Sequence, residues 1–137
     1  MATIGYSGKP LAEKLGIKAG HRVRLVNAPT NAEELLGQLP EQVSIVRAKT
    51  VGAADVTLWF ATEQRQLEAH FARASEVLPA GAMLWLAWPK RSSGVATDIT
   101  EDTLRKVGLP TGLVDVKVCA ISEVWSGLKF MHRTGSR

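Results

Sequence analysis

One cysteine, Cys119, stands among 137 residues. An internal disulfide framework and a multi-cysteine zinc site are therefore excluded, and a reducing cytosol suits the chain. Aromatic residues make up only 6% of the sequence, and no helix-turn-helix or RNP-like pattern accompanies them, which counts against base stacking as the main business of the chain. No apolar run approaches the ~18–20 residues of a membrane span; the longest apolar-rich stretch, Leu78 to Pro89, is about half that. Residues Met1 to Lys9 are too short and polar for a signal peptide's apolar core. No G-x-S-x-G elbow occurs, and no pair of carboxylates has settings that would push their pKa values apart. The three histidines, His21, His70 and His132, share no metal-binding spacing.

What is present reads as one globular domain. Hydrophobic residues are 45% of the chain and charged residues 22%, so disorder is excluded. The formal net charge of +4 admits an anionic partner without requiring one. Residues 1–132 read as a single unit, and 133–137 as a short basic tail.

Periodicity predicts the order α-β-α-β-β-α-β-α-β-β. Ser7 can cap a first helix carrying Leu11 and Leu15 on one face, stopped by Gly16. Arg22 to Val26 alternates as a strand. Thr30 and Glu33 predict a capping box opening a helix to about Gln38. Strands follow at Val43 to Val46 or Ala48, and at Val56 to Phe60, whose near-continuous apolar run predicts a central position. Thr62 is the expected cap of the strongest helix, with Leu67, Phe71, Ala74 and Leu78 on one face. Met83 to Trp88 is a second buried strand. Asp98 with Glu101 predicts a short helix to Val107. Leu113 to Ala120 and Gly127 to Met131 read as a hairpin joined through Ser122 to Ser126.

Strands separated by helices pair in parallel, so the expected fold is a three-layer α/β/α Rossmann-like sandwich. Its sheet has about six mostly parallel strands and a C-terminal antiparallel hairpin. Ligands of such sheets bind beyond the carboxyl ends of the strands. The loops expected there are Gly5 to Lys9, Asn27 to Thr30, Ala61 to Glu63, Pro89 to Asp98 and Ser122 to Ser126. The candidate ligand-binding residues are accordingly Ser7, Lys9, Asn27, Lys90, Arg91, Ser92, Ser93 and Trp125. Lys90 to Gly94 reads either as an ordinary solvated loop or as an anion clamp of two cations, two hydroxyls and a flexible glycine. Trp125 reads as a packing anchor or a stacking platform. Asp98 reads as a cap or a general base, and with Lys9 and Glu123 it is an acid–base candidate by location only. Cys119, in a strand, reads as a buried inert thiol.

The stretch Val56 to Met131, with "LPAGAMLWLAWP" at its centre, resembles the second half of a class I methyltransferase-like Rossmann domain. That resemblance implies S-adenosylmethionine held by a glycine-rich turn after the first strand and an acid closing the second. At those places stand Asn27-Ala28-Pro29-Thr30 and Arg47 with Lys49. Over nearly its full length, through "GYSGKPLAEKLGIKAGHRV", "VNAP", "LWLAWPKRSSGVATDITED" and "GLVDVKVCAISEVWSGLKF", the chain is similar to a family of small bacterial proteins, largely actinobacterial, known only as a domain of unknown function. That resemblance implies a stand-alone cytoplasmic protein. The expected function is a non-catalytic module binding a small anionic or nucleotide-like ligand on the rim. The alternatives are a divergent S-adenosylmethionine-dependent enzyme, or a weak nucleic-acid binder through the basic 14–24 region. No cofactor or metal is assigned, and a homodimer through the final edge strand remains open.

Overall fold

The computed structural model describes residues 9–134. Six strands form one sheet: β1 (Arg22–Val26), β2 (Ser44–Ala48), β3 (Val56–Phe60), β4 (Met83–Pro89), β5 (Leu113–Ala120) and β6 (Trp125–His132). The spatial order is β2-β1-β3-β4-β6-β5. β1 pairs in parallel with β2 and β3, and β3 with β4, whereas β6 runs antiparallel between β4 and β5. The helices are α1 (Leu11–Leu15), α2 (Ala32–Leu36), α3 (Gln64–Val77) and α4 (Glu101–Gly108), with 3-10 turns at Arg91–Ser93 and Leu109–Thr111. The expected Rossmann-like layering is therefore observed.

Alternation within the strands divides the core. Val23, Leu25, Val56, Leu58, Phe60, Trp85 and Ala87 face Leu11, Leu15, Ala32 and Leu36 of α1 and α2. On the opposite face, Val26, Trp59, Leu84, Leu86, Leu128 and Phe130 meet Leu67, Phe71, Ala74 and Leu104 of α3 and α4. β3 and most of β4 are buried on both faces, which is why their sequences read as apolar runs rather than alternating ones. Burial of each large side chain contributes ~1.5–3 kcal/mol. The Trp85 indole N–H would be orphaned in this interior, and it donates to the Leu15 carbonyl at 2.9 Å. Gly108 lets α4 approach closely, since a Cβ there would lie 2.8 Å from both Phe130 and Phe71.

Several helix starts differ from expectation. α2 is capped at Asn31 without a side-chain bond, because Glu33 is engaged by Arg47 instead of returning to Thr30. α3 begins one residue after the Thr62 prediction allows: Glu63 is its N-cap, and the Gln66 Oε1 accepts from the amides of Thr62 and Glu63 at 3.0 Å each. α4 is capped by Thr100, whose hydroxyl accepts from the Thr103 amide. Asp98 is indeed a cap, but of the wrong helix for the sequence reading: its Oδ1 accepts from the Gln64 amide of α3 at 2.7 Å. β6 begins at Trp125, two residues earlier than the run from Gly127 indicated.

The connection from β2 to β3 has no helix. Parallel strands of one sheet are ordinarily joined by a crossover of a dozen or more residues. Here residues 49–55 alone cross over β1 to reach β3. Extended chain spans ~3.3 Å per residue, enough for the return. The crossing rests on Arg24, whose Nε donates to the Thr50 carbonyl at 2.9 Å, and the Asp55 carboxylate accepts from the Arg22 amide.

Candidate functional site

The carboxyl ends of β1 to β4 and the β5–β6 turn share one rim, and the strand connections diverge between β1 and β3. That is the switch point where open α/β sheets leave a crevice. Two different surfaces occupy the rim.

The first lies over β1 and β2. Leu25, Asn27, Ala28, Arg47, Ala48 and Lys49 line a hollow of about 380 Å³. Asn27 turns the chain with φ 53°, a conformation that asparagine tolerates better than most residues. Arg47, near the end of β2, reaches back into this turn. Its guanidinium meets Glu33 at 2.6 and 2.8 Å and donates to the carbonyls of Pro29 at 2.9 Å, Thr30 at 3.2 Å and Ala28 at 3.4 Å. The hydrogen bond from Arg47 holds the Glu33 carboxyl at about 2, against 4.5 ordinarily, with the guanidinium's charge adding to it. Planar, bidentate pairing suits arginine and would not be reproduced by lysine.

The second surface lies over β3 and β4. Thr62, Glu63, Arg65, Ala96, Thr97 and Asp98 line a hollow of about 520 Å³. It shares Ala96 and Thr97 with another of about 530 Å³, which adds Trp88, Arg91, Ile99 and Glu101. Volumes of this size suit a small molecule. Trp88 and Ile99 are buried and give an apolar floor. The segment forming the outer wall is fixed by Thr97, whose hydroxyl donates to the Thr62 carbonyl at 2.6 Å and accepts from the Ile99 amide. Each carboxylate of this groove has an internal partner: Glu63 has Arg65, Asp98 has the Gln64 amide, and Glu101 has Arg105, each at 2.7 Å. Arg91 is exposed, and no carboxylate pairs with it among the described residues.

The predicted site residues are thus distributed. Asn27 lines the β1–β2 hollow and Arg91 the β4 hollow. They are separated by β3, hence by two strand spacings of ~4.8 Å. Ser93 closes its own turn, donating to the Lys90 carbonyl and accepting from the Val95 amide. Ser92 is exposed beside it, and the Lys90 amide is tied to the Val124 carbonyl at 2.7 Å. Trp125 lies opposite Pro89 in the sheet and packs edge-on against Phe60, ring centroids 4.9 Å apart. Lys9 is exposed and precedes Pro10, which lines a separate hollow with Gln38, Leu39 and Pro40. Ser7 lies outside the described residues. Thr62 and Thr97 lie in loops the sequence places on the rim, but neither they nor Arg65 are among the expected ligand-binding residues, since which loop becomes a wall depends on which strands lie side by side. Among the described residues no three His, Cys, Asp or Glu side chains cluster as a metal site, and no helix is long and apolar enough to cross a membrane.

No family model matches the chain, and neither does any curated protein. Solved structures do match. An O-methyltransferase family 2 protein from Planctomyces limnophilus, in complex with apigenin, superposes with TM-score 0.62 at 11% identity, covering 84% of this chain and 50% of that one. A Pyrococcus furiosus methyltransferase gives 0.56 at 12%, covering 93% and 87%. The fold is that of methyltransferases. CalO1, a methyltransferase of calicheamicin biosynthesis in its SAH-bound form, gives 0.62 at 13%, covering 90% of this chain and 52% of its own. This chain spans about half the length of the first and last of these.

CalO1 holds SAH on this fold, so the residues over β1 and β2 are tested against a cofactor of that kind. A cofactor carboxylate needs amides left free by a glycine turn, and a ribose diol needs an acceptor. Here carbonyls of the β1–α2 turn converge on Arg47, and the nearby acid, Glu33, is already bound by the same guanidinium. The donor set is inverted, and the residues present do not fit the cofactor in that position.

Proposed function

We propose that this chain is a non-catalytic module of methyltransferase fold that binds a small anionic, nucleotide-like molecule in the groove over β3 and β4. The observation that carries this reading is Arg91. It is a cation without a carboxylate partner among the described residues, beside a groove whose carboxylates are all internally engaged. An anionic group on the ligand would complete it, with Trp88 and Ile99 beneath an apolar ring. Lys90 adds a second positive charge at the same turn. The acids beside the groove are already engaged, Asp98 by the first turn of α3 and Glu101 by Arg105.

A second reading, a divergent S-adenosylmethionine-dependent enzyme, draws support from the fold itself. The methyltransferase neighbours favour it over a non-catalytic module, whereas the Arg47 clamp opposes the usual cofactor position. One thermal-shift series separates the two. Nucleoside monophosphates are expected to raise the melting temperature. Arg91→Ala should remove the rise, since losing a charge-assisted hydrogen bond weakens binding on the order of 10- to 100-fold. A rise with S-adenosylmethionine, competed by its demethylated product and indifferent to Arg91→Ala, would replace this reading with the enzyme.

A further inference from the structure

The basic run at 14–24 does not form one surface. Arg24 lies beneath the 49–55 crossover on the α3 side of the sheet, with its Nε bound to Thr50. Lys14 belongs to α1 on the other side, where its charge acts on Cys119. Two further lysines reach the same place from the hairpin. Lys117 and Lys129 are direct cross-strand partners, and Cys119 is paired with Gly127 two positions along, on the same face. Opposed like charges destabilise a strand pair. Lys129 is also half-buried. Its Nζ lies 5.6 Å from the centroid of the Trp85 ring and 3.8 Å from the Met83 sulfur, with no carboxylate paired to it or to Lys117 among the described residues. Burial, then the charge of Lys117, lowers the Lys129 pKa. Burial raises that of the Cys119 thiol, against the pull of Lys14, Lys117 and Lys129.

Repulsion between Lys117 and Lys129, retained on a half-buried ammonium, is relieved by an anion. We propose that Lys117 and Lys129 form a binding site for a phosphate-bearing small molecule over Cys119. Lysines act here as mobile point charges, a mode suited to phosphate. Gly127 opposite the cysteine carries no side chain of its own, and Ile121 and Trp85 fill the space a Cβ would take, so the ligand lies on the lysine side of Cys119. The site is separate from the Arg91 groove and does not depend on it.

Cys119, the sole cysteine, reports on it directly. The folded protein is treated with iodoacetamide, an uncharged reagent, over a series of inorganic pyrophosphate concentrations at constant ionic strength. Alkylation should slow with saturation, reaching ~10-fold protection at roughly ten times the Kd. Lys117→Glu, an exposed change that sets an acid opposite Lys129, should abolish protection while the melting temperature is maintained or raised. Lys129→Met should also abolish it, and Arg91→Ala should leave it intact. Absence of protection in the unaltered protein overturns the site, as does protection that survives Lys117→Glu. Protection lost in Arg91→Ala moves the anion to the rim and overturns it too. Protection by single-stranded DNA alone, with none by pyrophosphate, would also overturn it in favour of a nucleic acid.

Discussion

Arg47 and Glu33 carry more of the local architecture than their exposure suggests. Their side chains are 40% and 47% exposed, so the Coulombic part of the pair is largely screened. What remains is directional: one guanidinium satisfies the carbonyls of a turn that has no glycine and no regular hydrogen-bond ladder. The pair also sets a pH response. Glu33 titrates in the folded protein at about 2, below its ordinary 4.5. The stabilisation is therefore complete above that ordinary value, and it is lost as pH falls from there toward the folded value, because unfolded chains take up the proton first. Glu33→Gln should lower stability near pH 7 and make little difference near pH 2, measured by urea denaturation at each pH. Equal losses at both would show that the charge is immaterial. From sequence, Arg47 was visible only as a basic residue where an acid was expected. That it folds back onto Ala28, Pro29 and Thr30 depends on β2 lying beside β1, which periodicity does not specify.

Among the elements, the central strands were the most legible. Val56 to Phe60 is bounded as its composition predicts, and the Met83 strand extends by one residue to Pro89. Continuous burial leaves few alternatives for an apolar run of that length. Helix starts were less legible, because caps compete. Asp98 and Glu101 have capping-box spacing, yet Asp98 is drawn to the first turn of α3 across the groove, and Thr100 caps α4 instead. The helix-free crossover follows from contacts distant in sequence. A Cβ on Gly52 would lie 2.6 Å from the Arg24 guanidinium carbon, so Gly52→Ala must displace that side chain and weaken its bond to Thr50. The expected cost is ~1 kcal/mol, the worth of one hydrogen bond. In an Arg24→Ala background the cost should fall close to zero, a coupling read by a double-mutant cycle in urea. An unchanged cost would mean that the crossing is held by something other than Arg24.

At the scale of the whole molecule, stability is distributed unevenly over the sheet. β3 and β4 sit between two layers, whereas β2 is an edge strand with Val46 52% exposed and a single extended segment leading away from it. Native-state hydrogen exchange should find the amides of β3 and β4 opening only with global unfolding. Those of β2 should open through a smaller, sub-global event. Uniform protection across all the parallel strands would contradict that division. The two proposed ligand surfaces follow the same geography, since both border β4: the Arg91 groove at its carboxyl end, and the lysine cluster near Met83 and Trp85. By itself the sequence determined the element order, the central strands, the fold class and the absence of a disulfide framework, because each is a matter of local periodicity or residue count. The partners of Arg47 and Asp98, the crossing of residues 49–55 over Arg24, and the gathering of Lys14, Lys117 and Lys129 around Cys119 were decided only by the tertiary structure. Those contacts depend on which strands become neighbours and in what register, and hydrophobic patterning sets which face a side chain occupies without naming what it will meet there.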